Sequence, residues 1–263
     1  QRAGIRSELL PKHVATGAKE VIELPKQVIE DRFNLTEDTG AAQLFVGECT
    51  RGLQGGGFLY TNKNSISLGL VITAEEFAHS QYSIVDLMEE FKMHPAIRPL
   101  IEGGKVVEYS GHLVPEGGLG MMPPLVHDGL LIVGDAAGLV LNTGYMVRGM
   151  DLAIASGEAA AKAVIAAKEA EDYSKQGLSL YQKELDNSFV MQDLKTYSKA
   201  PAFMENKRIF GLYPSLVEDM MVNLFKVDGV PAKPLLKEAV GTIKHYGGLM
   251  QLARDAWKGV SSL

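Results

Sequence analysis

LLIVGDAAG, residues 130–138, is the stretch on which the reading of this chain turns. Gly129–Val133 is a short apolar run bounded by glycine, the pattern of a strand buried on both faces. Gly134 then removes a side chain where another group can approach the backbone. Asp135 presents a carboxylate at the C-terminal end of the expected strand, where α/β folds bind ligands. An ionised carboxylate only accepts hydrogen bonds, so it suits a polyol hydroxyl rather than a phosphate. Ala136, Ala137 and Gly138 leave room beneath a flat or extended ligand. A plainer reading stands beside this one: Asp135 caps the segment that follows, and no ligand is needed.

Downstream lies NTGYMVRGMD, residues 142–151, and then an Ala-rich helix expected over about 151–167. Gly144 and Gly149 precede that helix, whose first turn has free N–H groups and the positive end of a dipole. Such an end stabilises negative charge, although a glycine-permitted loop entering a packed helix explains the same residues. Upstream, QGGGFLY at 54–60 places three glycines beside a strand. They mark either a bulge or turn, or a backbone that touches a flat ring.

The flanking segments supply the rest of the architecture. His13–Leu24, Ala42–Val46, Phe58–Tyr60, Ser65–Thr73 and Lys105–Val114 read as strands, with Thr61–Asn64 as a hairpin turn. Apolar residues at helical spacing run through 74–94 until Pro95 and Pro99. From about residue 176 the chain reads as helical to its end. The expected class is α+β, with three parts: a β-sheet-rich domain over 1–114, a strand–loop–helix part over 115–175, and a helical region over 176–263.

Composition narrows the function classes. The 263 residues are 46% hydrophobic, with a formal net charge of −6, so nothing favours nucleic acid as a partner. Cys49 is the only cysteine, so this chain can build neither a Cys-rich zinc site nor a Cys-ligated iron–sulfur cluster. The six histidines lack metal-ligand spacing, and no metal site is expected. A lone thiol suits a reducing, cytoplasmic setting. There is no G-x-S-x-G, H-E-x-x-H or P-loop, which removes the main support for hydrolase, zinc-protease and NTPase readings. No G-x-G-x-x-G dinucleotide fingerprint occurs either.

Taken in order, the words GGGFLYTNKNSISLGLV, FKMHPAIRPLIEGGKVVEYSGHLVPEGG, LLIVGDAAGLVLNTGYMVRGMDLAIASGEAAA and YGGLMQLARDAWKG resemble the electron transfer flavoprotein–quinone oxidoreductases, and most closely their FixC-like branch. The resemblance runs along essentially the whole chain. It implies an FAD-dependent oxidoreductase with an α/β FAD-binding domain, of which 115–175 is the C-terminal part, and a sheet-rich quinone domain. It implies that Asp135 binds the ribityl group of FAD, within a cofactor set of Gly134, Asp135, Gly138, Gly144, Arg148, Gly149 and Met150. It implies that the start of the helix at Gly149 faces the flavin ring, and that the backbone at Gly55 and Gly56 bonds a quinone carbonyl.

The implied partners are electron transfer flavoprotein, a quinone, and a separate ferredoxin-like protein in place of the cluster domain of larger members. The family's N-terminal G-x-G-x-x-G segment is not in this sequence, so the chain is expected to be part of a longer protein and not to retain stoichiometric FAD alone. Two other readings are kept: an isoprenoid-lipid reductase of the geranylgeranyl type or a related monooxygenase, and a non-catalytic piece of the quinone domain. The apolar loop Leu119–Leu125 is either tucked into the core or dipped into the inner face of a membrane.

Overall fold

A computed structural model of the chain describes residues 4–6, 8–231 and 234–262. The expected spans 1–114 and 176–263 begin and end at Gln1 and Leu263, which lie outside the described residues. In chain order the structure runs through β1 (Val14–Glu23), α1 (Lys26–Phe33), β2 (Ala42–Phe45), β3 (Gly55–Thr61) and β4 (Ser65–Thr73). Helices α2 (Ala74–Ala78), α3 (Ile84–Met93) and α4 (Arg98–Ile101) lead to β5 (Lys105–Pro115). Four two-residue strands follow: β6 (Val126–His127), β7 (Leu130–Leu131), β8 (Leu141–Asn142) and β9 (Val147–Arg148). The rest is helical: α5 (Met150–Glu169), α6 (Leu180–Asp186), α7 (Phe189–Thr196), α8 (Ala200–Met204), α9 (Leu212–Phe225), α10 (Leu235–His245) and α11 (Gly248–Val260).

The chain divides into two compact units. The sheet unit comprises Ala15–Leu113 and Asn206–Trp257. Its five strands are ordered β2-β3-β4-β1-β5, with antiparallel pairing of β2 to β3, β3 to β4 and β4 to β1. Because side chains alternate along a strand, Ile66, Leu68, Leu70 and Ile72 of β4 share one face. Leu59 and Ile22, paired in register with Leu68 and Ile66, extend that face, and Ile29, Leu87, Met88, Phe91 and Ile97 close over it. The expected helix over 74–94 is two helices, because residues 79–83 turn and the Ser83 hydroxyl accepts the Val85 N–H to start α3 anew. Helix α1 was not expected from the sequence; a single buried residue, Ile29, anchors it and leaves little apolar period to read.

The second unit comprises the described residues of Gln1–Val14 and Lys258–Leu263 together with Val114–Glu205. Helix α5 buries Leu152, Ser156, Ala159, Ala163 and Ala167, one stripe at helical spacing. That stripe packs with Leu139, Leu141, Tyr181, Leu185, Val190 and Leu194. The doubly buried strand expected at Gly129–Val133 is corrected here. Only Leu130–Leu131 is extended, paired with β6 alone, and Leu130 and Val133 are exposed. A strand is covered on both faces only when neighbouring strands and helices flank it, and among the described residues the run has one two-residue neighbour.

Candidate functional site

The residues around Asp135 form a tight turn. Gly134–Ala137 is one 3-10 turn that ends at Gly138, where φ is +73°. Gly134 also has a positive φ, +57°, and a Cβ added there would lie 3.3 Å from the Ala153 side chain of α5. A left-handed conformation and close contact together make glycine the fitting residue. The backbone folds back through Gly138 N–H to Asp135 O and Leu139 N–H to Gly134 O.

Asp135 itself is exposed, and its carboxylate has no hydrogen bond or ion pair among the described residues. Val133, not Asp135, occupies the N-cap position of the 3-10 turn, and α5 has Gly149 at its N-cap, with no side-chain cap. The capping role that competed for this residue is therefore absent. A Cβ placed on Gly149 would lie 3.9 Å from Asp135 Oδ1, so the structure brings Asp135 to the first turn of α5. There the carboxylate meets the positive end of a 20-residue helix.

Gly144 and Arg148 lie in the β8–β9 hairpin. Gly144 has φ +85° and donates its N–H to Asn142 Oδ1 at 2.9 Å, with Met204 packed against its open side. Arg148 is held by Asp151, with Nε to Oδ2 at 2.8 Å, and by Asp193, with Nη1 to Oδ2 at 2.6 Å, above the Phe189 ring. The hydrogen bonds to Asp151 and then Asp193 raise the Arg148 pKa. Burial pushes Asp151 up, but its bond and charge contact with Arg148 outweigh that and leave the carboxyl below its ordinary value. Arg148 thus fixes the corner at which the hairpin enters α5. Met150, the first residue of α5, is exposed.

Gly55 and Gly56 belong to the sheet unit and lie inside β3, paired to Ile72 and Val71. As consecutive strand residues they face opposite sides of the sheet. A Cβ on Gly55 would sit 2.1 Å from Val71 O, and one on Gly56 would sit 2.5 Å from Phe45 O. Gly57 is likewise closed off, by the Phe91 ring at 2.7 Å. The glycine run is therefore required by the neighbouring backbones, whatever else it contacts. Gly56 shares its side with Phe58 and Tyr60, whose rings stack at 5.8 Å with an interplanar angle of 15°.

The loop Leu119–Leu125 is folded inward: Leu119 and Met122 pack on the core of their unit, and Pro123 and Leu125 are buried. Strongly exposed apolar side chains occur in the helical tail, among them Phe225, Val227, Val230, Leu236, Met250 and Trp257. No described helix is long and apolar enough to cross a membrane.

Residues that the sequence reading missed grip the Asp135 turn from behind. Ser156 Oγ accepts the Gly134 N–H at 3.0 Å, and Tyr181 Oη donates to Ile132 O at 2.9 Å. Arg6 donates to Ala136 O and Met121 O at 3.0 and 2.9 Å. Ser156 alone had a legible signal, as the one hydroxyl on the buried stripe of α5.

Comparison with known proteins places two matches on the chain. Residues 15–114 match the profile described as ETF-QO, ubiquinone-binding, and residues 200–263 match the ETF-QO/FixC family C-terminal domain. The chain is 55% identical over 253 residues to the Escherichia coli K12 protein named "Probable electron transfer flavoprotein-quinone oxidoreductase YdiS", covering 96% of this chain and 59% of that one. It is 48% identical over 263 residues to Protein FixC of Escherichia coli O157:H7, covering 100% of this chain and 61% of the relative. The chain therefore spans about three fifths of the length of these relatives. Its fold is similar to that of a geranylgeranyl bacteriochlorophyll reductase-like protein from Thermoplasma acidophilum, with TM-score 0.59 and 18% identity over 96% of this chain and 58% of the other.

Proposed function

The chain belongs to the ETF-QO/FixC family, and from that premise we propose that it forms the quinone-facing and flavin-contacting portion of an FAD-dependent enzyme that passes electrons from electron transfer flavoprotein to a quinone. The observation that carries this reading is the exposed Asp135 carboxylate at the start of α5, unpaired among the described residues. A carboxylate without a partner beside a helix N-terminus is a ready acceptor for a hydroxyl-bearing ligand.

FAD, when bound, supplies the redox chemistry, taking electrons from one partner and releasing them to the next. The chain's own residues bind and orient it. Asp135 accepts from the ribityl hydroxyls. The Gly149–Met150 start of α5 would offer its N–H groups and dipole to negative charge on the ring, and Gly134, Gly138 and Gly144, each at positive φ, would shape the backbone that meets the cofactor. Arg148 holds the hairpin corner through Asp151 and Asp193. In the sheet unit, the backbone at Gly55 and Gly56 contacts the quinone, with Gly56 on the side of the Phe58–Tyr60 stack. Electron transfer needs no side-chain acid or base, in keeping with the absence of a catalytic dyad from this reading.

The functional division into 1–114, 115–175 and 176–263 belongs to the same proposal, overlying the two compact units. A separate ferredoxin-like protein as partner, and a peripheral position on the inner face of the cell membrane, complete it. The test uses the full-length flavoprotein reduced by electron transfer flavoprotein, then offered a ubiquinone analogue or an unsaturated isoprenoid. Reoxidation by the quinone alone is the expected result. Reoxidation by the isoprenoid alone would reverse the assignment in favour of a lipid reductase.

A further inference from the structure

Asp135 sits on a turn that is held at alternate residues by side chains from three separate parts of its unit. Tyr181 from α6 takes the carbonyl of Ile132 at 2.9 Å. Ser156 from α5 takes the N–H of Gly134 at 3.0 Å while donating to Ala153 O at 2.8 Å. Arg6, from the start of the chain, takes the carbonyl of Ala136 at 3.0 Å and ties it to Met121 O at 2.9 Å. Tyr181 and Ser156 are fully buried. A buried backbone group left without its partner is costly, so the bonds at Gly134 and Ile132 favour one placement of the turn, and Arg6 adds an exposed bond at Ala136. Burial, against a smaller opposing effect of Ser156, pushes the Tyr181 phenol up to about 12, so it remains a donor at neutral pH.

The turn needs this restraint. It follows a strand whose ladder is only two residues long, and Gly134 at its head is the most permissive residue type. Fixing Ile132, Gly134 and Ala136 leaves Asp135 between fixed points, with its carboxylate outward at the start of α5. We infer that Tyr181, Ser156 and Arg6 are positioning residues for Asp135, clamping the turn so that its carboxylate is preorganised for the cofactor hydroxyl. All three act on the turn through its backbone. This inference rests on the reading of Asp135 as a cofactor residue.

The test is a set of double-mutant cycles in the full-length flavoprotein, reading FAD affinity by titration of the apoprotein. Tyr181→Phe and Ser156→Ala should each weaken FAD binding about three- to tenfold, the span of one ordinary hydrogen bond. In an Asp135→Ala background the same substitutions should add little, because the group they position is gone. Equal losses in both backgrounds would overturn the clamp, as would unaltered affinity in the single variants when Asp135→Ala itself weakens binding. Unaltered affinity in Asp135→Ala would instead remove the cofactor reading. A second measurement does not depend on the cofactor: amide hydrogen exchange at Gly134 in the apoprotein should accelerate in Ser156→Ala, and unchanged protection would sink the clamp. Tyr181→Phe keeps the buried ring, so it carries the cycle should the Ser156 variant fold poorly.

Discussion

One carboxylate without a partner among the described residues separates the two roles open to Asp135. A cap would be bonded to the backbone N–H groups that follow it, and this side chain is not. Asp135→Ala in the full-length enzyme is therefore expected to weaken FAD binding by about 1.5–3 kcal/mol, the range for a hydrogen bond involving a charged group. Asp135→Asn should cost less, since the amide still accepts from a hydroxyl. Flavin titration measures both, and equal affinity in all three proteins would exclude the ribityl contact. At Gly55 the issue is space. Its missing Cβ would fall 2.1 Å from Val71 O, so Gly55→Ala should lower stability by about 1–3 kcal/mol through overpacking, seen as an earlier urea midpoint. Full stability in that variant would show that β3 and β4 can part without cost. Any loss of quinone turnover at Gly55 or Gly56 has to be read beside the melt, because the neighbouring backbones already require glycine.

Between elements, the helical tail is drawn together by one acid. Asp255 of α11, 3% exposed, takes both Arg208 Nε at 2.6 Å and Nη2 at 2.9 Å, and also accepts from Tyr213 and Gln251. Arg208 above all, working against burial, holds the Asp255 carboxyl well below the usual carboxylate range, with Tyr213 and Gln251 adding to it. A depressed folded-state pKa contributes stability that is fully present above the unfolded value, about 4, and is lost as pH falls toward the folded one. Asp255→Asn should thus melt earlier than the parent at pH 7, and the gap should hold down to about pH 5 and narrow below about pH 4. A gap that persists undiminished in acid would mean that shape, not charge, makes the contact.

For the protein as a whole, the membrane side of the proposal moves from one surface to another. The Leu119–Leu125 loop is packed inward, whereas Phe225, Val227, Leu236, Met250 and Trp257 project from the tail of the sheet unit. Over residues 226–258 six Lys and Arg stand against three Asp and Glu, although the chain as a whole is acidic. Apolar tips among basic residues suit an anionic lipid face. In co-sedimentation with vesicles containing anionic lipid, Phe225→Asp with Trp257→Asp should abolish most binding, while Met121→Asp should leave it intact provided the protein stays folded. Binding that survives the tail variant would direct the search to another surface. Because the chain spans about three fifths of its relatives, these measurements belong in the full-length protein.

The sequence by itself determined the class of fold, most of the strands, the family, and Asp135 as the residue to examine. Those features are local: alternation in Ser65–Thr73, the turn before it, glycines at Gly134 and Gly138, and words in a fixed order. Tertiary structure alone decided what each surrounding group is bonded to. The run Gly129–Val133 carries the apolar pattern of a buried strand, but burial depends on neighbours, and it has a single two-residue partner. That Gly55 and Gly56 have no room for a Cβ is seen only once the carbonyls of Val71 and Phe45 are placed beside them. Ser156, Tyr181 and Arg6 are scattered along the chain with no shared spacing, and only folding carries them to Ile132, Gly134 and Ala136. Periodicity reports how a segment meets its own surroundings, whereas a hydrogen bond between distant residues exists only once the chain has closed around it.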